Sequence, residues 1–223
     1  MNSRSLRTSL FATALLVSAA VPLVGAQATT VFSDNFNSDP QGLNSLPVGW
    51  TLTVGPVDVI GVGGAFDYYP GNGNYVDLNG TPGYGGIATI QIFAPGTYNV
   101  SFNLGSSVGG ANGVDAATTP KLTQVCLGNA DCQTISLPST PADWTTQLLK
   151  FTTTAPGTLS FTSLPDPNIG SPYNLYVGNI LDNVVVSSTP LPSTWTMLVA
   201  GFFGIGFFAY RGTKKNSASV AAA

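Results

Sequence analysis

The sequence predicts an all-β protein, an antiparallel sandwich or barrel, and three observations carry that reading. Apolar and polar residues alternate with period two along several stretches, short Gly/Pro turns separate these stretches, and no helix-length periodicity appears between residues 27 and 188. Tyr98, Val100, Phe102 and Leu104 fall on one face, and Thr97, Asn99, Ser101 and Asn103 on the other. One buried face and one wet face is the pattern of antiparallel sheets.

Taken in order, strands are expected at 87–93, 97–104, 146–153, 158–163 and 179–187. Ala88, Ile90 and Ile92 alternate with Thr89 and Gln91, Leu149 and Phe151 with Lys150 and Thr152, and Leu159 and Phe161 with Ser160 and Thr162. Ala94-Pro95-Gly96 and Ala155-Pro156-Gly157 read as short hairpin turns between the strands that flank them. The last strand is apolar on both faces at Val184-Val185-Val186, which places it centrally. Residues 27–188 are enough for one domain with a full core.

The two ends read differently. Arg4 and Arg7 precede the apolar run Leu10 to Ala20, and Val24-Gly25-Ala26 and Ala26-Gln27-Ala28 offer small residues for cleavage. Residues 1–26 are therefore expected to be a secretory signal peptide, cut after Ala26 or Ala28, rather than a first transmembrane helix. At the other end, a Pro-rich stalk at 189–195 leads into an apolar segment at 196–210 and a basic tail at 211–223. Trp195 and Tyr210 stand where interfacial aromatic anchors would, and Arg211, Lys214 and Lys215 form a basic stop. This predicts one C-terminal transmembrane helix, with the tail cytoplasmic and the body outside the membrane.

This tail resembles the sorting signal of bacterial PEP-CTERM proteins, in which a proline motif precedes an apolar helix and a basic cluster. Pro190-Leu191-Pro192 stands where that family typically has Pro-Glu-Pro, so the central glutamate is absent. The resemblance implies an exosortase as processing partner. It also implies a location at the inner membrane or, after cleavage, at the cell surface or in the extracellular matrix.

Setting both ends aside changes the charge. Residues 27–188 hold two lysines, Lys121 and Lys150, against all ten aspartates, a formal charge of −8 where the full chain has −3. Such a body has no basic patch and would repel phosphate backbones, which excludes nucleic acid as a partner. It has no histidine and no glutamate. It shows no phosphate loop, and with no histidine to activate a serine it is not expected to be an enzyme. Asp67 and Asp77 share a Gly-rich region, but nothing in the sequence fixes the separation a glycosidase pair requires. Cys126 and Cys132, six apart, are expected to form a local disulfide outside the cytoplasm; two free thiols on adjacent strands are the alternative.

The body resembles galactose-binding-like jelly rolls, among them secreted carbohydrate-binding modules. The resemblance rests on an ordered series. It runs from Asp34-Asn35-Phe36 through Gly49-Trp50-Thr51, Val57-Asp58-Val59-Ile60-Gly61 and Tyr75-Val76-Asp77-Leu78-Asn79-Gly80 to Pro95–Phe102 and Leu181-Asp182-Asn183-Val184. It implies a jelly-roll β-sandwich and a structural calcium ion near the chain ends. Only Asp34 and Asp182 stand at matching positions for that ion; solvated aspartates at strand ends are the alternative.

A sugar site needs an aromatic platform with polar groups beside it. Tyr68, Tyr69, Tyr75, Asp77 and Asn79 in the Gly-rich stretch 61–86 are the candidates, with Trp50 nearby in sequence. The bland reading makes Tyr75 and Trp50 core residues and Tyr68-Tyr69 a loop cap. The functional expectation is an exported envelope or matrix protein that binds polysaccharide without catalysis. Its alternative is a purely structural surface protein with no small ligand.

Overall fold

A computed structural model describes residues 27–64, 66–106, 121–128, 130, 132–137, 144–165, 178–189 and 193–216, and within the last stretch the side chains of 198–211. The segment expected as a signal peptide and the proline motif Pro190-Leu191-Pro192 lie outside the described residues.

The strands follow in chain order: β1 (Thr29–Asp34), β2 (Trp50–Val54), β3 (Asp58–Gly61), β4 (Asn74–Asp77), β5 (Asn79–Gly80), β6 (Gly83–Tyr84) and β7 (Gly86–Thr89). Then come β8 (Gly96–Ser106), β9 (Lys121–Leu127), β10 (Gln133–Leu137), β11 (Thr145–Thr153), β12 (Leu159–Leu164), β13 (Asn179–Ser188) and the helix α1 (Ser193–Asn216). The first sheet has the order β11-β8-β13-β4-β3, with β1 also on β13; the second is β10-β9-β12-β7-β2; β5 and β6 form a small ribbon. Every strand pairing is antiparallel. The result is an antiparallel β-sandwich in which the chain repeatedly changes sheet.

The expected alternation is realised along β8. Tyr98, Val100, Phe102 and Leu104 are buried between the sheets against Val125, Leu127, Leu159 and Phe161 of the second sheet. Trp50 is the largest of the fully buried side chains and lies against Phe32, Phe36 and Phe161, at ring-centroid distances of 5.6, 5.7 and 6.1 Å. β13 is central, as its two apolar faces imply. It pairs with β8 on one side, and on the other with β4 at Ile180 and Leu181 and with β1 from Val184 to Ser188. The register slips between Asp182 and Val185, a bulge that puts Asn183 in the left-handed region at φ 51°. Cys126 and Cys132 are disulfide-bonded and tie the end of β9 to the start of β10.

Two expectations are corrected. Ala94-Pro95-Gly96 and Ala155-Pro156-Gly157 do not close hairpins. β7 and β12 belong to the second sheet while β8 and β11 belong to the first, so both turns are crossovers between sheets. The two corners lie side by side, with Phe93 and Gly157 exchanging backbone hydrogen bonds of 2.7 and 3.0 Å. The alternation expected through Ala88, Ile90 and Ile92 also fails: β7 is buried on both faces at Ile87, Ala88 and Thr89, while Ile90 and Ile92 lie beyond the strand and are 64% and 66% exposed.

Residues Gln27–Leu191 form one compact unit and α1 lies outside it. The segment 196–210, expected to cross a membrane, is helical, but among the described residues no helix is long and apolar enough to do so. Its apolar run of roughly sixteen residues rises only ~24 Å, against a hydrocarbon core of ~30 Å. Along it Phe202, Phe203, Ile205 and Phe208 are all exposed.

Candidate binding site

The loop between β3 and β4 carries the candidate site. It is fastened at several points. Gln41 donates from Nε2 to Val62 O and to Asn74 Oδ1, both at 2.9 Å, and Asn72 N donates to Tyr69 O at 3.1 Å. Beneath it the outward residues Ile60, Tyr75 and Ile180 form a second apolar cluster on the outer face of the first sheet, with Tyr68, Tyr69 and Trp144 packed against it. Tyr69 stacks on Trp144 at 4.4 Å with the planes tilted by 31°, and Tyr75 meets both edge-on. Gly105 of β8 permits this: a Cβ there would sit 2.4 Å from the Tyr69 hydroxyl oxygen. That hydroxyl donates to Ser106 O at 2.8 Å.

Tyr75 is the latch. Its hydroxyl accepts from Tyr69 N at 3.0 Å and donates to Asp67 Oδ1 at 3.0 Å. Burial, with the Asp67 carboxylate beside it, pushes the phenol above its ordinary pKa. Tyr75 therefore orders the loop and presents no surface to a ligand. Asp77 and Asn79 are buried as well, so these three of the five sequence candidates are corrected from ligand contacts to interior groups. A side chain with no exposed surface cannot lie against a polymer. Tyr68 and Tyr69 are half-buried and stay on the loop, and Trp50 is core, as the bland reading had it.

Sequence reasoning missed two residues. Phe66 is 40% exposed on the same loop and, with Gln41, Gly42, Leu43, Val59, Ile60 and Gly64, lines an open cleft of about 320 Å3. A lone Phe in a Gly-rich loop carries no periodicity that separates a surface platform from a core anchor. Gln41 lies far from the loop in sequence.

Asp77 and Asp58 are cross-strand partners in the β3–β4 register and both are buried. Asp58 clips two loops by accepting from Asn44 N at 2.6 Å and from the Thr81 hydroxyl at 2.7 Å. Asp77 Oδ1 accepts from Asn79 N and Gly178 N, each at 2.9 Å. Burial raises the Asp77 carboxyl to about 7; the two N–H donors and Lys121 oppose the rise, and Asp58 adds to it.

The structure brings Asp34 and Asp182 into one neighbourhood. Asp34 pairs with Val184, two residues from Asp182. Burial, with Asp34 close by, raises Asp182 to about 6. Beside them an open polar cleft of about 450 Å3 is lined by Ser33, Asp34, Asn35, Ser38 and Asn183, with Val184 and Val185. All four carboxylate oxygens already accept hydrogen bonds: Asp34 from Phe36 N and Trp50 Nε1, Asp182 from Asn183 N and Nδ2. Among the described residues no three acidic, thiol or imidazole side chains group to hold a metal. A calcium shell takes roughly six to eight oxygens, which two carboxylates would supply only together with backbone carbonyls or water.

Several solved structures are similar to this chain at low identity. One is the CBM22-1 xylan-binding domain of Paenibacillus barcinonensis Xyn10C, at 17% identity, TM-score 0.44, over 74% of this chain and 97% of that one. Another is a Stig cyclase, Fisc, from Fischerella sp. TAU, at 17% identity, TM-score 0.47, over 74% of this chain and 99% of that one. An α-L-arabinofuranosidase, MgGH51, matches at 15% identity and TM-score 0.45 over 68% of this chain, which spans only 25% of the enzyme's length. Likenesses of this strength carry no inference about ligand or reaction. No family model matches the chain, and no curated protein matches it.

Proposed function

We propose that the protein is an exported envelope or matrix protein whose β-sandwich binds a neutral polysaccharide without catalysis, through the loop between β3 and β4. The observation that carries this reading is the exposed Phe66, which lines an open cleft with no charged lining residue. An aromatic face with a polar neighbour is what a pyranose ring needs. The formal charge of −8 on residues 27–188 favours an uncharged polymer over a uronate. A non-catalytic role agrees with the placement of Asp77, the aspartate raised to about 7, which is buried and so closed to substrate.

The test is retention of the full chain on an insoluble neutral polysaccharide. Binding that soluble competitor releases supports the reading, and absence of retention on every neutral polymer tried removes it.

For delivery, we propose that residues 1–26 direct export and that the segment from Pro190 to Lys215 is a sorting signal. The short apolar run of α1 suits a segment that is engaged and then removed better than a permanent anchor. The expected intact mass of the protein from its native source corresponds to a chain ending between Thr189 and Trp195; a mass that extends to Ala223 would contradict removal.

A further inference from the structure

We propose that the cleft between Gln41, Leu43, Ile60 and Phe66 is a subsite for one methyl-bearing sugar residue, a 6-deoxyhexose of a neutral glycan. This rests on the carbohydrate reading above and deepens it by naming the sugar class.

Size comes first. A cleft of about 320 Å3 lies at the small end of ligand pockets, which run from roughly 300 to 1,000 Å3, so it holds one residue rather than a stretch of polymer. Its walls are apolar: Leu43, Val59, Ile60 and the exposed face of Phe66. A hydroxyl pressed against such walls loses its hydrogen bonds to water and gains none in return, whereas a methyl group is favoured there. A fully hydroxylated hexose therefore fits this lining less well than its 6-deoxy counterpart.

One polar group faces the cleft in a fixed orientation. Both N–H donors of the Gln41 amide are committed, to Val62 O and Asn74 Oδ1 at 2.9 Å each, so its Oε1 is presented as an acceptor. Gly64 leaves room at that oxygen, since a Cβ on residue 64 would lie 2.9 Å from Oε1. A held acceptor selects a hydroxyl donor at one position on the sugar ring. The nearest acidic group on the loop, Asp67, is tied to the Tyr75 hydroxyl. No charged side chain lines the cleft, which argues for an uncharged sugar.

The test uses the full chain with methyl α-L-rhamnopyranoside and methyl α-L-fucopyranoside as probes, and methyl α-D-glucopyranoside for comparison. In saturation-transfer NMR the expected result is the strongest transfer to the C6 methyl protons. Binding should be about tenfold or more tighter than for the glucoside, the discrimination a buried methyl supplies. Phe66→Ala and Gly64→Ala should abolish or weaken that signal, while Leu148→Ala, an exposed position on β11 that does not line the cleft, keeps it. Phe66 is exposed, so its truncation should leave the melting temperature unchanged and the loss readable as binding.

Equal signals from all three glycosides overturn the proposal. So does binding of cyclohexanol with no glycoside response, which would mark a purely apolar site. If Phe66→Ala keeps full deoxyhexose binding, the subsite is misplaced, and retention on polysaccharide shows whether the wider carbohydrate reading survives.

Discussion

Trp50→Ala is expected to destabilise the sandwich by about 3–5 kcal/mol, the range for truncating a buried aromatic. Three aromatic rings, Phe32, Phe36 and Phe161, lose their central partner. The change also removes the 2.7 Å hydrogen bond from the indole Nε1 to Asp34 Oδ2, so a part-buried carboxylate loses a donor along with the packing. Domains of this size have total stabilities of only ~5–15 kcal/mol. The variant should unfold at far lower urea concentration, with a melting temperature depressed by roughly 10 °C or more. Trp50→Phe keeps a ring but not the donor and should fall between the two. A loss below about 1 kcal/mol for the alanine variant would show that this cluster is not where the sheets are joined.

The second large effect is a dependence of stability on pH. Asp77 is raised by burial from 3.8 to about 7, so its folded-state pKa lies above its unfolded one. A raised carboxyl contributes stability that is fully present below the unfolded value and is lost as pH rises through the folded value. From pH 5 to 8 the unfolded chain holds this carboxyl ionised, while the folded chain must release its proton near 7. At 1.36 kcal/mol per unit, Asp77 alone lowers stability by about 3 kcal/mol over that window, or roughly 5–10 °C in melting temperature. Asp39 is raised by burial too, in the same direction.

Asp77→Asn separates the causes. Its amide oxygen still accepts from Asn79 N and Gly178 N, and the buried ionisation is gone. The variant should match the wild type at pH 5, exceed it at pH 8 and show a flatter profile. Asp77→Ala would instead leave two buried N–H groups without their acceptor and lower stability at every pH. A wild-type melting temperature that rises from pH 5 to 8 would contradict the account of this carboxyl.

The alternation that predicts β8, β11 and β12 is legible because each of these strands keeps one face on the core and the other more exposed, and β13 is legible as an apolar run on both faces. Topology is less so. Ala-Pro-Gly specifies that the chain reverses, and the chemistry of the turn is the same whether the next strand pairs beside its predecessor or crosses to the facing sheet. On β7 the run Ile87 to Phe93 has apolar residues of both parities, so period two alone does not choose between Ile87 and Ile90 for the interior.

The candidate site was legible as a region and not as a set of side chains. The Gly-rich stretch does carry the aromatic loop. Tyr75, however, belongs to a strand whose outer face is roofed by that same loop, and no local pattern reports a second apolar layer outside the main core. Gln41 reaches the cleft only because Gly42 pairs with Val59 across the sheet edge, a contact that exists in the fold alone.

The most direct measurement compares wild type and Phe66→Ala, as full chains, for retention on an insoluble neutral polysaccharide at matched protein concentration. The account predicts that the wild type is retained and that the variant, with an unchanged melting temperature, loses about tenfold or more in affinity, as expected when an aromatic anchor is truncated. Retention that is equal for the two proteins would contradict the assignment of binding to this loop.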